Sequence, residues 1–372
     1  MEVGREALPE VGRRISSIDA LRGFDMFWIT GGEALIHSLA RVIHHPAMTA
    51  LDRQFRHVEW QGFRFYDLIF PLFLFIVGLV LPFSLTRRLA SEASRAPLYW
   101  HAFRRFAILF FLGLIYNGLL NLRFDQLRVA GVLQRIAICY LLATLVVMNT
   151  SIRGQALVAG GLLLGYWMVM KLIPVPGFGA GDLSPVGNLA SYIDRHLLPG
   201  PYCCFGFGDN EGILSTLPAV STTLIGVLAG HWLRSRQSPG RKIGGMILAG
   251  VASLLVALIW GHWFPIIKNI WTSSYVLYAA GWSLLLLALF YWIIDVRGYK
   301  RWAFFFIVIG LNPITIYVVQ SQFKFDTIAS IFVRGFIDLL GPIKPVFWEA
   351  SVLLVGWLFL WFLYRQKIFL KV

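Results

Sequence analysis

The chain has 372 residues, of which 58% are hydrophobic and only 14% are charged, and its mean hydropathy is +0.69. A soluble domain usually carries about 25% charged residues, so the composition excludes an ordinary water-soluble core. The formal net charge is +14, but the basic residues are spread over short loops, which argues against a nucleic-acid partner. The composition therefore indicates an all-α, polytopic integral membrane protein.

About 20 apolar residues cross the roughly 30 Å hydrocarbon layer of a bilayer, and ten segments have about this length. They are residues 18–40, 65–86, 104–121, 128–148, 155–173, 213–233, 243–263, 273–294, 302–321 and 346–364. We predict ten transmembrane helices, or eleven if the amphipathic segment 326–340 re-enters the membrane. These helices form one domain, 18–364, between a segment 1–17 and a tail 365–372.

The basic residues determine the expected orientation. In the ten-span arrangement the Arg-rich and Lys-rich loops lie on the same side as both chain ends, and such loops face the cytoplasm. We therefore expect both termini in the cytoplasm, in a bacterial inner membrane. The long segments 41–64 and 174–212 then lie outside, and the second should be irregular apart from one short helix near 188–197. It contains Cys203 and Cys204, which we expect to be free thiols, with a disulfide to another chain as the alternative.

Several polar side chains lie within or beside the predicted spans, where they are costly and by default face a cavity. Asp67 opens the second span, Gln134 and Arg135 lie in the fourth, and Asn312 lies in the ninth. A buried Arg135 needs a carboxylate or several carbonyl groups as partners. These residues are therefore candidates for binding a substrate.

His57 is the candidate general base, because the run HVEWQGFRFYDLIFP places an imidazole at the outer end of the second span. Its ordinary pKa of about 6.5 allows it to accept a proton at neutral pH. Taken alone, a histidine at such a position is more often a surface or capping residue.

Two further polar runs have equally ordinary alternatives. Asp209 and Glu211 precede the sixth span, where acidic residues also complement a helix dipole. Lys268 and Asn269 lie at the outer end of the eighth, where a lysine is also a common interfacial anchor. The sequence shows no metal-ligand spacing, P-loop or dinucleotide-binding glycine motif, so we expect neither a metal cofactor nor nucleotide hydrolysis.

Six runs in this order resemble the transmembrane acyltransferase family that includes lysosomal heparan-α-glucosaminide N-acetyltransferase. They are SSIDALRGFDMFWITGGEAL, HVEWQGFRFYDLIFPLFLFIVGLVLPFSL, RVAGVLQRIAICYLL, GDNEGILSTLPA, KNIWTSSYVL and GLNPITIYV. The resemblance implies an enzyme that transfers an acetyl group from cytoplasmic acetyl-CoA to an acceptor on the other side of the membrane. It also implies that His57 matches the active-site histidine, and that Asp67, Asp19 and Arg22 support that site.

The chain departs from the family pattern in places. The lysosomal protein has an Asn followed by a glycine run after the opening helix, where this chain reads WITGGE. The stretch from Gly32 to His57 is longer here, and we expect the large luminal domain to be lacking. The acceptor is therefore expected to be an amino sugar or another glycan of the cell envelope or diet rather than heparan sulfate.

The mechanism expected from the sequence is base catalysis by His57 on an acceptor amine or hydroxyl, either by direct transfer or through an acetyl-histidine. Cytoplasmic arginines would hold the CoA phosphates, and Asn269, Lys268 or Arg135 would donate to the thioester oxygen. A transporter or flippase for a sugar or lipid-linked glycan, and a non-catalytic scaffold, are the alternatives. A homodimer is also expected from the family.

Overall fold

The computed structural model describes residues 15–89 and 94–370. Almost all of segment 1–17 and the last two residues of the tail 365–372 therefore lie outside the described residues. Within them the protein is almost entirely helical, as the composition predicted. Its α-helices are α1 Ser16–Phe27, α2 Glu33–Val42, α3 Pro46–Gln54, α4 Ile69–Leu89, α5 Ala96–Tyr116, α6 Val132–Asn149, α7 Ile152–Leu172, α8 Leu189–Leu197, α9 Thr216–Arg234, α10 Pro239–Gly261, α11 Ser273–Phe290, α12 Ala303–Leu311, α13 Pro313–Gln322, α14 Phe325–Val333 and α15 Lys344–Arg365.

Shorter elements connect or extend these helices. Two π-helical segments follow α1 and α11, and the only sheet in the described residues is one antiparallel pair of two-residue strands. The π-helical segments are Trp28–Gly32 and Tyr291–Val296, the 3₁₀ turns are Phe65–Leu68, Leu119–Asn121, Phe124–Gln126 and Ile337–Ile343, and the strands are β1 Pro174–Val175 and β2 Gly179–Ala180.

Among the described residues, eight helices are long and apolar enough to cross a membrane. A ninth span exists if α12 and α13 are counted together, although they meet at a bend of 71°. Asn312 and Pro313 occupy this bend, and the proline removes a backbone donor there. These nine candidates correspond to the nine later spans of the predicted ten.

The first predicted span has a different structure from the others. Its helical path is interrupted by the π-helical segment, where Gly31 has φ +145°, and Asp19 and Asp25 interrupt its apolar sequence. Both carboxylates are nevertheless buried, at 7% and 0% exposed. The charged residues turn inward because α1 is surrounded by other helices, as expected for ionisable groups at membrane depth.

Close helix contacts at glycine hold the bundle together. A Cβ atom added at Gly226 of α9 would lie 2.0 Å from the Phe75 carbonyl oxygen of α4. One added at Gly23 of α1 would lie 1.7 Å from the Phe306 carbonyl oxygen of α12. Lipid tails are as apolar as leucine, so helices in membranes associate largely through such close van der Waals packing.

The segments between the spans partly match their predicted structure. The short helix predicted near 188–197 is α8, whose first turn is capped by Asn188 as its side chain accepts a bond from the Ser191 amide at 2.8 Å. Segment 41–64 contains α3, which the sequence did not predict. Segment 326–340 is the short helix α14 followed by a 3₁₀ turn.

Candidate active site

His57 and Asp67 form a hydrogen-bonded pair. The Nδ1 atom of His57 lies 2.7 Å from Oδ1 of Asp67, in the 3₁₀ turn that begins the second span. The Asp67 side chain is 1% exposed, whereas that of His57 is 51% exposed. The other carboxylate oxygen, Oδ2, accepts the Arg64 backbone N–H at 3.0 Å. Asp67 is thus fixed by the turn, and the imidazole that it orients is open to a substrate.

Lys268 approaches this pair from the loop between α10 and α11. Its Nζ lies 3.3 Å from Oδ1 of Asp67 and 2.9 Å from Nδ1 of His57. In the neutral imidazole Nδ1 donates to Asp67, and the ammonium group of Lys268 is paired with the same carboxylate. Two side chains, His57 and Lys268, therefore share one oxygen of Asp67.

The pKa of Lys268 lies below its ordinary value because the side chain is largely buried. Asp67, Glu211 and Glu33 oppose this effect through their negative charges. The loop that contains His57 and the loop that contains Lys268 are joined by a backbone bridge, since Gly62 donates its N–H to the Ile266 carbonyl at 2.9 Å. Asn269 strengthens this connection by donating to the Glu59 carbonyl at 3.3 Å.

Tyr66 and Glu33 are two site residues that the sequence analysis missed. The Tyr66 ring lies 4.9 Å from the His57 ring, and its side chain interacts with Glu33 of α2. Glu33 also accepts from Nε2 of His37 at 3.2 Å. In the sequence, Tyr66 was one of many aromatic residues, and only its place beside Asp67 in the same run could have indicated it.

Asp209 and Glu211 are brought together by Arg128, which the sequence analysis also missed. The guanidinium Nε of Arg128 lies 2.7 Å from Oδ2 of Asp209, and its Nη2 contacts Glu211. The Cys203 amide donates to Asp209 at 3.1 Å. Burial raises the pKa of Asp209, but Arg128 outweighs this effect and holds it below its ordinary value.

The expectation that Cys203 and Cys204 are free thiols is wrong, because the two residues form a disulfide with each other. Cys204 has φ +85°, a backbone conformation that L-residues other than Asn and Asp rarely adopt. The disulfide holds this bend in the loop beside Asp209, and sequence spacing could not have predicted a bond between adjacent residues.

Arg135 and Gln134 lie inside the bundle. Arg135 is 1% exposed, and its Nη2 donates to Ser215 Oγ at 2.5 Å and to the Gly212 carbonyl at 3.2 Å. Its guanidinium also lies 5.0 Å from the Trp271 ring centroid. Its Nε and Nη1, and Nε2 of Gln134, have no hydrogen-bond partner among residues 15–89 and 94–370. These buried groups are therefore free to donate to the oxygen atoms of a ligand.

Asp19, Arg22 and Asn312 connect α1, α12 and the tail. Arg22 donates to Asp19 at 3.4 Å and to the Gly310 carbonyl at 3.2 Å. Asn312 donates to the Ile368 carbonyl at 3.0 Å and accepts from the Leu370 amide at the same distance. Of the predicted site residues, the structure thus groups His57, Asp67 and Lys268 directly, with Asn269 beside them.

Comparison with known proteins supports the resemblance. A family profile described as "Domain of unknown function (DUF5009)" matches residues 14–119. The chain is 28% identical over 326 residues to heparan-alpha-glucosaminide N-acetyltransferase of Homo sapiens, and 26% identical over 331 residues to the protein of that name of Mus musculus. The resemblance is confirmed. Each alignment covers 73% of this chain, and the chain spans about half the length of the curated relatives it matches, 49% and 50%.

The segment matched by the family profile does not contain every residue of the candidate active site. Residues 14–119 include Glu33, His57 and Asp67 but not Lys268. A comparison confined to that segment would therefore find the imidazole and its carboxylate and miss the lysine that lies against both.

Proposed function

We propose that this protein is a membrane-bound acetyltransferase that moves an acetyl group from acetyl-CoA to an amino sugar or another glycan acceptor. The observation that carries the proposal is the 2.7 Å contact between the half-exposed imidazole of His57 and the buried carboxylate of Asp67. The similarity to two N-acetyltransferases supports it independently.

In this mechanism His57 is the general base. Its Nδ1–H donates to Asp67, which fixes the tautomer and leaves the lone pair of Nε2 to accept a proton from the acceptor amine or hydroxyl. The deprotonated acceptor attacks the thioester carbonyl, the carbon–sulfur bond breaks, and the proton passes to the departing thiolate. Positioned proton transfer of this kind contributes typically 10² to 10⁴ in rate.

Lys268 and the buried donors would stabilise the negative charge that develops on the thioester oxygen. Lys268 Nζ lies 3.3 Å from His57 Nε2, so the thioester carbonyl attacked by an acceptor that is hydrogen-bonded to this nitrogen would also be near the ammonium group. Asn269 lies beside it. Arg135 and Gln134, with unpartnered donors at depth, are suited to the amide and carbonyl oxygens of the pantetheine arm.

The length of α10 supports a reaction across the membrane. Its 23 residues extend about 34 Å at 1.5 Å per residue. They separate the Lys268 loop from the basic loop that contains Arg236, which is flanked by Arg234 at the end of α9 and Arg241 at the start of α10. Because basic loops face the cytoplasm, the pair of His57 and Asp67, called the dyad below, would face the opposite side. Exposed arginines such as Arg104 and Arg241 would bind the CoA phosphates.

The decisive experiment uses purified protein in lipid nanodiscs and compares the wild type with His57→Ala. We expect the wild type to bind acetyl-CoA and to release CoA when a glucosamine-type acceptor is present. The variant should bind acetyl-CoA equally well but turn over at least about 10²-fold more slowly. Because the imidazole is half exposed, added imidazole should restore part of the activity.

Absence of any affinity for acetyl-CoA or CoA in the folded wild type would contradict the proposal. Measured movement of a sugar across the membrane without acetyl-CoA consumption would replace it with a transporter. Equal turnover by the wild type and His57→Ala would remove His57 from the mechanism.

A further inference from the structure

A cavity of about 440 Å³ lies between the opening helical segment and the helices α12 to α15. This volume falls within the range of about 300 to 1,000 Å³ that small-molecule sites occupy. Its main wall is apolar and comes from both arms of the bent pair and from α15. The apolar wall includes Phe305, Ile309, Ile316, Leu353, Trp357 and Leu360.

One end of the cavity is polar. Gln320, Ser321, Lys324 and Asp326 lie together where α13 ends and α14 begins. Lys324 and Asp326 are both exposed. An apolar body with a charged, exposed rim is complementary to an amphiphile, because a chain of methylene groups gains by burial while a polar head keeps its contact with water.

The cavity is connected to the turn of the candidate active site by a row of aromatic side chains. Phe27 lines the cavity, and its ring centroid lies 4.8 Å from that of Trp28. The Trp28 ring lies 5.5 Å from the ring of Phe65, which precedes Tyr66 in the 3₁₀ turn. The Tyr66 ring lies 4.9 Å from the His57 ring. A molecule in the cavity is therefore separated from the dyad by a few aromatic side chains.

We infer that the acceptor is an amphiphile whose alkyl chain occupies this cavity while its sugar head reaches His57. The inference rests on the proposed acetyltransferase function and adds the chemical class of the acceptor. A sugar attached to a hydrocarbon chain would be held by burial of the chain, so that the head needs few contacts of its own. The membrane itself supplies the route by which such a chain enters.

Gly356 offers a direct way to fill the cavity. It lies on the cavity wall, and a Cβ atom added there would lie 3.8 Å from Phe325 and 3.9 Å from Ile316, which are ordinary contact distances. Gly356→Leu should therefore occupy the space without forcing the backbone apart. Gly161→Leu is the matched control, because Gly161 is an exposed helical glycine with no atom within 4 Å of such a Cβ.

The experiment measures the ratio of kcat/KM for octyl glucosaminide to kcat/KM for glucosamine in nanodiscs, below the micelle concentration of the octyl compound. In the wild type this ratio should be at least about tenfold, since each buried methylene strengthens binding roughly fourfold. Gly356→Leu should reduce the ratio severalfold, and Gly161→Leu should leave it unchanged. Partition of the octyl compound into the lipid affects all three proteins alike and cancels in the comparison.

An equal ratio in the wild type and Gly356→Leu would overturn the inference. So would a rise in KM for acetyl-CoA in Gly356→Leu with both acceptors, because the cavity would then hold the donor's pantetheine arm. These results leave the acetyltransferase proposal intact, whereas failure to acetylate any acceptor would contradict that proposal itself.

A second measurement does not depend on a folded variant or on turnover. Wild-type protein is irradiated with an alkyl glucosaminide that carries a diazirine on its chain, and the labelled peptides are identified. Labels on α13, α14 and α15, reduced by excess octyl glucosaminide, support the inference. Labels confined to the outer surface of α7 or α10 would overturn it.

Discussion

Asp67 has a structural role in its turn and, in the proposed mechanism, a chemical role as well. One carboxylate oxygen accepts the Arg64 amide and so fixes the start of the second span, while the other faces His57 and Lys268. A carboxylate that is 1% exposed is costly unless it is paired. The side chains of His57 and Lys268 therefore offset the cost of burying the carboxylate. The carboxylate in turn fixes the tautomer of the imidazole.

Asp67→Asn should reduce kcat by about 10² to 10⁴, with little change in KM for acetyl-CoA, because the amide can no longer hold Nδ1 as a donor. Steady-state CoA release measures the effect. Glu59→Gln is the control, since Glu59 is exposed in the same segment and offers only its backbone carbonyl to Asn269. Full activity in Asp67→Asn would remove the carboxylate from the catalytic unit.

The lowered pKa of Lys268 predicts a pH dependence of stability. Because the unfolded lysine, with a pKa near 10.5, binds its proton more tightly than the folded one, folding releases protons between the two pKa values. The stability of the wild type relative to Lys268→Met should therefore be lowest below the folded pKa and rise as pH increases toward 10.5. Thermal unfolding of both proteins across this range measures the difference, and parallel curves would contradict the prediction.

At the scale of elements, α4 and α9 approach each other closely at several glycines. Gly226 and Gly230 of α9 lie against Phe75 and Leu79 of α4. In the same way, Gly78 of α4 lies against Thr223 of α9. All of these side chains are buried. The turn that carries Asp67 leads directly into α4. The close approach of the α4 and α9 backbones therefore also determines where the carboxylate lies.

Gly226→Ala should destabilise the protein by about 1 to 3 kcal/mol, because its new methyl group would lie 2.0 Å from the Phe75 carbonyl oxygen. Gly161→Ala, on the open face of α7, should be neutral or stabilising by up to about 1 kcal/mol. Reversible unfolding in mixed micelles compares the two. Equal stability of the two variants would show that the helices do not approach this closely.

At the scale of the whole molecule, the site residues come from opposite parts of the chain but lie at one end of the bundle. His57 and Lys268 are separated by 211 residues, and the basic loop between α9 and α10 lies at the far end of α10 from Lys268. The cytoplasmic location of both termini, the bacterial inner membrane and the homodimer stay predictions.

The proposed orientation predicts opposite labelling of two exposed positions. Glu59→Cys, in the His57 segment, and Gln237→Cys, in the basic loop, are placed singly in a background without the three native cysteines. A membrane-impermeant maleimide should label Glu59→Cys in intact cells and Gln237→Cys only after the membrane is opened. Labelling of both positions from the same side would contradict a reaction across the membrane.

Much of the fold could be predicted from the sequence, because long apolar segments directly indicate membrane-spanning helices. The bend at Asn312 and the helix after Asn188 also have local causes that residue types reveal. The site was harder to predict from the sequence than the fold. His57 and Asp67 are ten residues apart in one run and could be predicted together. Arg128, Tyr66 and Glu33 could not, because they are recognised only by contacts with residues that are distant in sequence. The disulfide between neighbouring cysteines had no sequence signal.

The backbone bridge between Gly62 and Ile266 has a consequence for biosynthesis. As the chain leaves the ribosome, the loop with His57 and Asp67 is made long before residue 268. Until Lys268 has been made and its loop is in place, the nascent protein carries the carboxylate without its ammonium partner and lacks the backbone contact with the second loop. The candidate site is thus completed late, and partly synthesised chains would lack it.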